Sequence, residues 1–103
     1  MKSATLAKQL NDTLANDPKV WVFSEIFLGD EFTQPFCFII HTTSSNKVVV
    51  HMATADGGFH NGNYCDNLLE ANNHYQRRCH KHGLSSHNRK GAGMRPANYN
   101  PQD

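Results

Sequence analysis

Residues 35–54 read PFCFIIHTTSSNKVVVHMAT, and the fold turns on how this stretch is parsed. Two runs rich in β-branched and aromatic residues, Phe36 to Thr42 and Val48 to Thr54, flank a polar break. Such runs suit a pleated, half-buried surface. Thr43-Ser44-Ser45-Asn46 supplies side chains that bond their own backbone and favour turns. The stretch therefore predicts an antiparallel hairpin. Pro35 fits at its mouth, where a missing N–H costs the ladder nothing.

Working toward the N-terminus, Lys19 to Leu28 (KVWVFSEIFL) predicts another strand. Strict alternation would put Val20, Val22, Ile26 and Leu28 on one face and Trp21, Phe23 and Phe27 on the other. Both faces are apolar, so the strand is expected to be covered on both sides or to hide one face in a homodimer. Gly29-Asp30-Glu31 predicts the turn that follows. Residues 3–16 predict a helix. Ser3 is its expected N-cap, and Leu6, Leu10 and Leu14 form one stripe with Ala7 and Thr13 beside them. Lys8, Gln9, Asn11 and Asp12 form the solvated side. Asn16-Asp17-Pro18 ends the helix, because proline disfavours helical geometry in the residue before it.

Toward the C-terminus, residues 55–63 (ADGGFHNGN) have the composition of a loop. A second helix is expected from Tyr64 to His82, with Tyr64, Leu68, Ala71, Tyr75 and Cys79 as its core stripe. Gly83 is the expected C-cap. From Leu84 onward no periodicity remains, and Ser, Asn, Gly and Pro dominate.

The expected fold is thus α+β: a small αβββα domain over residues 3–83, with a three-stranded antiparallel sheet and both helices on one face. A basic tail over 84–103 is expected to be extended or disordered in isolation. Double-stranded-RNA-binding domains have the same element order. The lysine cluster that opens their second helix has no counterpart here, where Asn63-Tyr64-Cys65-Asp66-Asn67 stand. The likeness stops at element order.

The 103 residues carry a formal net charge of +1, so bulk charge selects no partner. Its distribution does. Residues 1–70 hold four Lys/Arg and eight acids, whereas residues 71–102 hold six Lys/Arg and no acid. Such asymmetry points to a polyanion contact or self-association. Three cysteines without paired spacing argue against a disulfide scaffold. No charged-then-apolar leader pattern and no membrane-length apolar run is present. The expectation is a cytoplasmic protein with reduced thiols and no membrane contact.

Four features are candidates for chemistry. Arg77, Arg78, Lys81, Arg89, Lys90 and Arg95 are the candidate cations for phosphates. Phe59 and His60, in the glycine-rich stretch, are candidate partner contacts. Cys79, His82 and His87, with Cys65, His74 or His80 as a fourth donor, are candidate zinc ligands by residue type. The spacing is poor, and no metal or other cofactor is expected. Cys37 with His41 or His51, and Cys65 with His60, are the candidate nucleophile–base pairs. Cys37, in an apolar run, reads more simply as a buried thiol. Trp21, Phe23 and Phe27 are candidates for base stacking or dimerisation.

These features predict a non-enzymatic binding protein that docks on a nucleic acid or nucleoprotein complex through its basic C-terminal helix end and tail. The alternatives are an inhibitor or adaptor of a host protein, of the kind phages and mobile elements carry, acting through its acidic or sheet face, and a small zinc-binding protein.

Overall fold

The computed structural model describes residues 2–29, 32–43, 47–86 and 94–95. The fold is α+β, with two helices and an antiparallel sheet of five strands among the described residues. In chain order the elements are α1 (Lys2–Ala15), β1 (Val20–Phe23), β2 (Ile26–Phe27), β3 (Phe36–Thr42), β4 (Val48–Thr54), β5 (Phe59–Cys65) and α2 (Leu68–Lys81). A two-residue strand, β6 (Met94–Arg95), adds in parallel to the outer side of β2.

The hairpin forms where the sequence places it. β3 and β4 pair from Phe36↔Thr54 to Thr42↔Val48 without a break. Both have the bounds expected from composition. The sheet is wider than the three strands expected, for two reasons. First, the stretch Lys19–Leu28 is split into β1 and β2, both antiparallel to β3. At the split, Ser24 Oγ accepts from the Phe38 amide at 3.0 Å while the Ser24 amide donates to the Phe38 carbonyl at 2.9 Å. A side-chain hydroxyl thus stands in for a ladder carbonyl. Second, the glycine- and asparagine-rich stretch expected to be a loop is only a turn over residues 55–58. It then becomes β5, which pairs with β4. The second helix accordingly starts at Leu68 rather than Tyr64, and Cys65 stands on a strand rather than on that helix.

The helices lie on opposite faces of the sheet, not on one. Successive strand residues point to opposite faces, and β3 shows both sides. Cys37 and Ile39 join Ala7, Leu10 and Leu14 of α1 with Val20, Phe23, Ile26 and Ala53 in one buried cluster. Phe38 and Ile40 join Ala71, Tyr75 and Cys79 of α2 with Val50, Cys65 and Leu84 in another. The expected alternation of Val20–Phe27 fails for the same local reason as the split strand. A register shift between Val20 and Val22, followed by the Ser24-Glu25 break, changes the parity. Phe23 is therefore fully buried under α1, Phe27 stacks on Phe36 at 5.2 Å, and Trp21 is 52% exposed. They form no common aromatic face.

α1 begins one residue before Ser3, so Ser3 is not its cap. Its buried stripe is Ala7, Leu10, Asn11 and Leu14, an i, i+3, i+4, i+7 pattern, while Leu6 and Thr13 are exposed. Asn11, expected on the solvated side, is buried. Its Oδ1 has no hydrogen-bond donor among the described residues.

α2 is closed at both ends. Asn67 Oδ1 accepts from the Glu70 amide at 2.9 Å, and Glu70 Oε1 accepts from the Asp66 amide at 3.1 Å. This is capping-box chemistry shifted by one residue. At the other end Gly83 takes φ +69°, the left-handed region that favours glycine. The Leu84 amide then reaches the Cys79 carbonyl and the Gly83 amide the His80 carbonyl, a Schellman closure with Leu84 buried against the helix it ends. The chain continues past Glu25, whose amide donates to the Ser85 carbonyl. The Tyr75 hydroxyl donates to the Ser86 carbonyl at 2.7 Å. Among the described residues no helix is long and apolar enough to cross a membrane.

Candidate functional site

Two adjoining depressions mark the α2 face of the sheet beside the C-terminal half of that helix. One, of about 450 Å³, is lined by Phe36, Met52, Thr54, His60 and Asn61, with Phe32, Thr33 and Gln34 at its end. The other, of about 330 Å³, is lined by Phe38, Met52, Asn61, Arg78, Lys81 and His82. They share Met52 and Asn61, so they form one groove with a sheet floor and a cationic helix wall.

The floor follows from strand parity. Phe36 and Phe38 stand two apart on β3, and Met52 faces Phe38 across the ladder. Phe36 and Phe38 meet edge to face at 5.9 Å. His82, at the C-cap of α2, lies 5.0 Å from Phe38 and 6.0 Å from Phe36 between ring centroids. Its Nδ1 is 3.0 Å from the Arg78 carbonyl. Phe38 is buried beneath His82 and Arg78, whose guanidinium lies 5.8 Å over the ring. The ring surfaces a ligand meets are those of half-buried Phe36 and exposed His60, His82 and Phe32.

The candidate cations divide by role. Arg78 is half-buried and cross-links helix to sheet: Nη2 donates to the Asn61 carbonyl and, at 2.5 Å, to Asn63 Oδ1. Burial lowers its pKa from the usual arginine value. Lys81 is exposed on the groove rim. Arg77 is exposed and its Nη2 lies 3.3 Å from His74 Nδ1. The ion pair among the described residues is Lys8–Asp12 at 3.0 Å, on α1, so no described carboxylate pairs with a cation of α2. His60 lines the groove, its Nε2 3.3 Å from Thr54 Oγ1. The neighbouring turn is held by Asp56, which accepts from Thr54 Oγ1, the Gly58 amide and Gln34 Nε2. Led by the Thr54 bond, these pull its carboxyl down to about 2. Arg89 and Lys90, and the zinc candidate His87, lie outside the described residues. Arg95 lies on β6, and its side chain is likewise outside the description.

Phe59 is not in the groove. It sits on the α1 face with a histidine pair that composition did not single out as a unit. His41 Nε2 and His51 Nδ1 are 2.7 Å apart. Phe59 stacks on His51 at 5.6 Å and meets His41 at 4.9 Å, and Tyr64 meets His51 edge-on at 6.0 Å. Burial lowers both histidine pKa values, and for His51 the His41 charge lowers it further. A Cβ at Gly62 would stand 2.5 Å from His51 Nε2, so the imidazole would have to shift to admit one.

The nucleophile–base pairs do not assemble. Cys37 faces Ala53 across the ladder, and His41 is four residues along the same strand, roughly 13 Å away at strand rise. His51, opposite Ile39, is a diagonal neighbour of Cys37 on the same face, but its Nδ1 lies 2.7 Å from His41 Nε2 and Cys37 is fully buried. Burial drives the Cys37 thiol far above its ordinary range. His60 and Cys65 stand near opposite ends of β5. Of the zinc candidates, Cys79 is buried in the core beside Tyr75, its thiol pushed up to about 11 mainly by burial. His82 packs on the phenylalanines instead. A different trio does converge among the described residues: donor atoms of Cys65, Glu70 and His74 all lie within 4.8 Å of one another.

Sequence reasoning missed Phe36, Met52 and Asn61 as groove residues. The alternation of Phe36, Phe38 and Ile40 in FCFII carried a signal for the floor, and nothing local signalled Asn61. No protein-family model, no curated protein and no solved structure matches the chain.

Proposed function

We propose that the chain is a non-enzymatic module that binds single-stranded nucleic acid, free or within a nucleoprotein complex, along the α2-face groove. The observation that carries this reading is a groove with aromatic floor and rim beside a helix whose exposed cations have no carboxylate partner among the described residues. Single strands are held in this way without sequence preference: a cationic track follows the phosphates and ring faces stack on bases. In this assignment Phe36, His60 and His82 meet bases. Lys81 and Arg77 meet phosphates, and Arg89, Lys90 and Arg95 are proposed as further phosphate contacts. Arg78 holds the groove's shape. The chain's three free, buried thiols suit a reducing cytoplasm, where such a partner is found.

Fluorescence anisotropy with a labelled single strand of roughly 12 nucleotides tests it. Affinity is expected to fall steeply with salt. Phe36→Leu, which keeps the core filled, is expected to weaken binding about fivefold or more, at the low end of one stacked base. Absence of binding to any nucleic acid at low salt defeats the reading.

One observation favours a second reading, an inhibitor or adaptor of a host protein, or a homodimer. Trp21, Val22, Ile40, Leu68, Leu69 and Asn72 line a cleft of about 450 Å³ beside β1. Leu69 is 73% exposed there. Exposed apolar surface of this kind marks protein contacts. Sedimentation of the pure chain separates a homodimer from a monomer that awaits another partner.

A further inference from the structure

We propose that Cys65, Glu70 and His74 form a binding site for a divalent transition metal of zinc type, with solvent in the fourth position. The proposal is independent of nucleic-acid binding. It rests on how the β5–α2 junction brings three unlike donors together. Cys65 is the last residue of β5, and only Asp66 and Asn67 separate it from α2. The cap at Asn67 turns the Glu70 carboxylate back toward the strand end, where Oε1 accepts from the Asp66 amide. A carboxylate keeps further lone pairs after one such bond. His74 is one turn on, at i+4 from Glu70 and therefore on the same helix face. The result is a thiol, a carboxylate and an imidazole with donor atoms within 4.8 Å of one another.

Metal–ligand bonds of about 2.0–2.3 Å in tetrahedral geometry separate donors by roughly 3.5 Å. The trio therefore needs to close by about 1 Å, which side-chain rotation at half-buried His74 and exposed Glu70 supplies. The donor chemistry selects the ion. Thiolate and imidazole disfavour magnesium and calcium, and suit zinc or cobalt(II). Thiolate and carboxylate together balance a dication, so the loaded site is neutral. On binding, the thiol proton leaves to solvent and sulfur donates its lone pair to the metal. The Cys65 thiol is buried and donates to the Asn63 carbonyl at 3.4 Å, a bond that is given up when the sulfur loses its proton to bind a metal. Three protein ligands and an open position are the pattern of zinc sites that keep an exchangeable ligand. Loading also changes the neighbourhood of Arg77, because an imidazole that binds a metal has no lone pair left for the Arg77 guanidinium now 3.3 Å from Nδ1.

Cobalt(II) titration of the reduced, untagged full chain tests the site. One equivalent is expected to produce a thiolate-to-cobalt charge-transfer band and tetrahedral visible bands, both displaced by zinc. Cys65→Ser is expected to abolish the charge-transfer band. Glu70→Gln, which retains the cap hydrogen bond, and His74→Gln are each expected to weaken binding at least about tenfold, the lower end of what even outer-shell partners contribute. His80→Ala with His82→Ala is expected to leave the band unchanged. A missing band, or one that survives Cys65→Ser, overturns the site. Should Cys65→Ser not fold, an unchanged titration of His74→Gln overturns it equally.

Discussion

The two faces of the sheet are built from one set of strands and turned to different ends. On the α1 face, Ala7, Leu10 and Leu14 close over Phe23, Ile26, Cys37 and Ile39. Beyond α1, this face holds a histidine pair, buried His41 and half-buried His51, against Phe59 and Tyr64. On the α2 face, the helix closes the inner part with Ala71, Tyr75 and Cys79 and leaves open a groove whose wall is cationic. The acids of the chain are confined to residues 1–70 and Asp103. Among the described residues of the acid-free segment, α2 carries Arg77, Arg78 and Lys81, and Arg78 and Lys81 wall the groove on that face.

The largest effect that sharpens this comparison is structural. Phe23 is fully buried under α1, and Phe23→Ala is expected to cost about 3–5 kcal/mol, measured by urea unfolding. Nucleic-acid affinity of the folded fraction should be unchanged, since the ring is on the other face. A parallel loss of affinity in the folded protein would break the division of labour.

A smaller loss is expected at the edge of the same face. Gly62→Ala places a methyl 2.5 Å from His51 Nε2, so the ring must move and the His41–His51 contact opens. Because Gly62 is exposed and the atoms in the way end a side chain, the cost is expected at the low end of overpacking, about 1 kcal/mol. The two histidine rings should also change environment together in NMR spectra.

The smallest effect is the pH dependence that this pair imposes. Both histidine pKa values are lowered in the folded chain, first by burial. The unfolded chain therefore takes up protons first. The pair's contribution is complete above the unfolded value of about 6.5 and is lost as pH falls below it. Unfolding midpoints should decline from pH 7 toward pH 5, and less so in His51→Gln. An identical slope in both proteins would remove the pair from the account.

How much of this was legible in the sequence depended on how local the cause was. β3 and β4 were legible to the residue because β-branched and aromatic runs with a polar break have few other uses. The end of α2 was legible because a left-handed closure calls for Gly83. β5 was not, since Asn61, Gly62 and Asn63 are residues that strands avoid. They are tolerated at this edge, where Asn61 takes φ +55° at the register shift opposite His51. The face of each helix was not legible either. Element order is the same whether helices share a face or straddle the sheet, and the choice is made by long-range packing. The candidate site was legible in its charges, Arg77, Arg78 and Lys81, but not in their roles. That Arg78 binds Asn61 and Asn63 while Lys81 faces solvent depends on a strand the sequence did not reveal. The convergence of Cys65 with Glu70 and His74 depends on the same strand.

Under the proposed function, position on the α2 face, not net charge, makes the nucleic-acid contact. The direct measurement compares two charge-matched double reversals by anisotropy against a salt series: Arg77→Glu with Lys81→Glu on α2, and Lys8→Glu with Lys19→Glu on the α1 side. The account predicts at least about a tenfold loss at low salt for the α2 pair, with the slope of log K against log salt flattened by about 1.4 for two lost phosphate contacts. The α1-side pair should stay within about twofold of the parent with its slope intact, as expected where no counterions are released. Equal losses in the two proteins would contradict it.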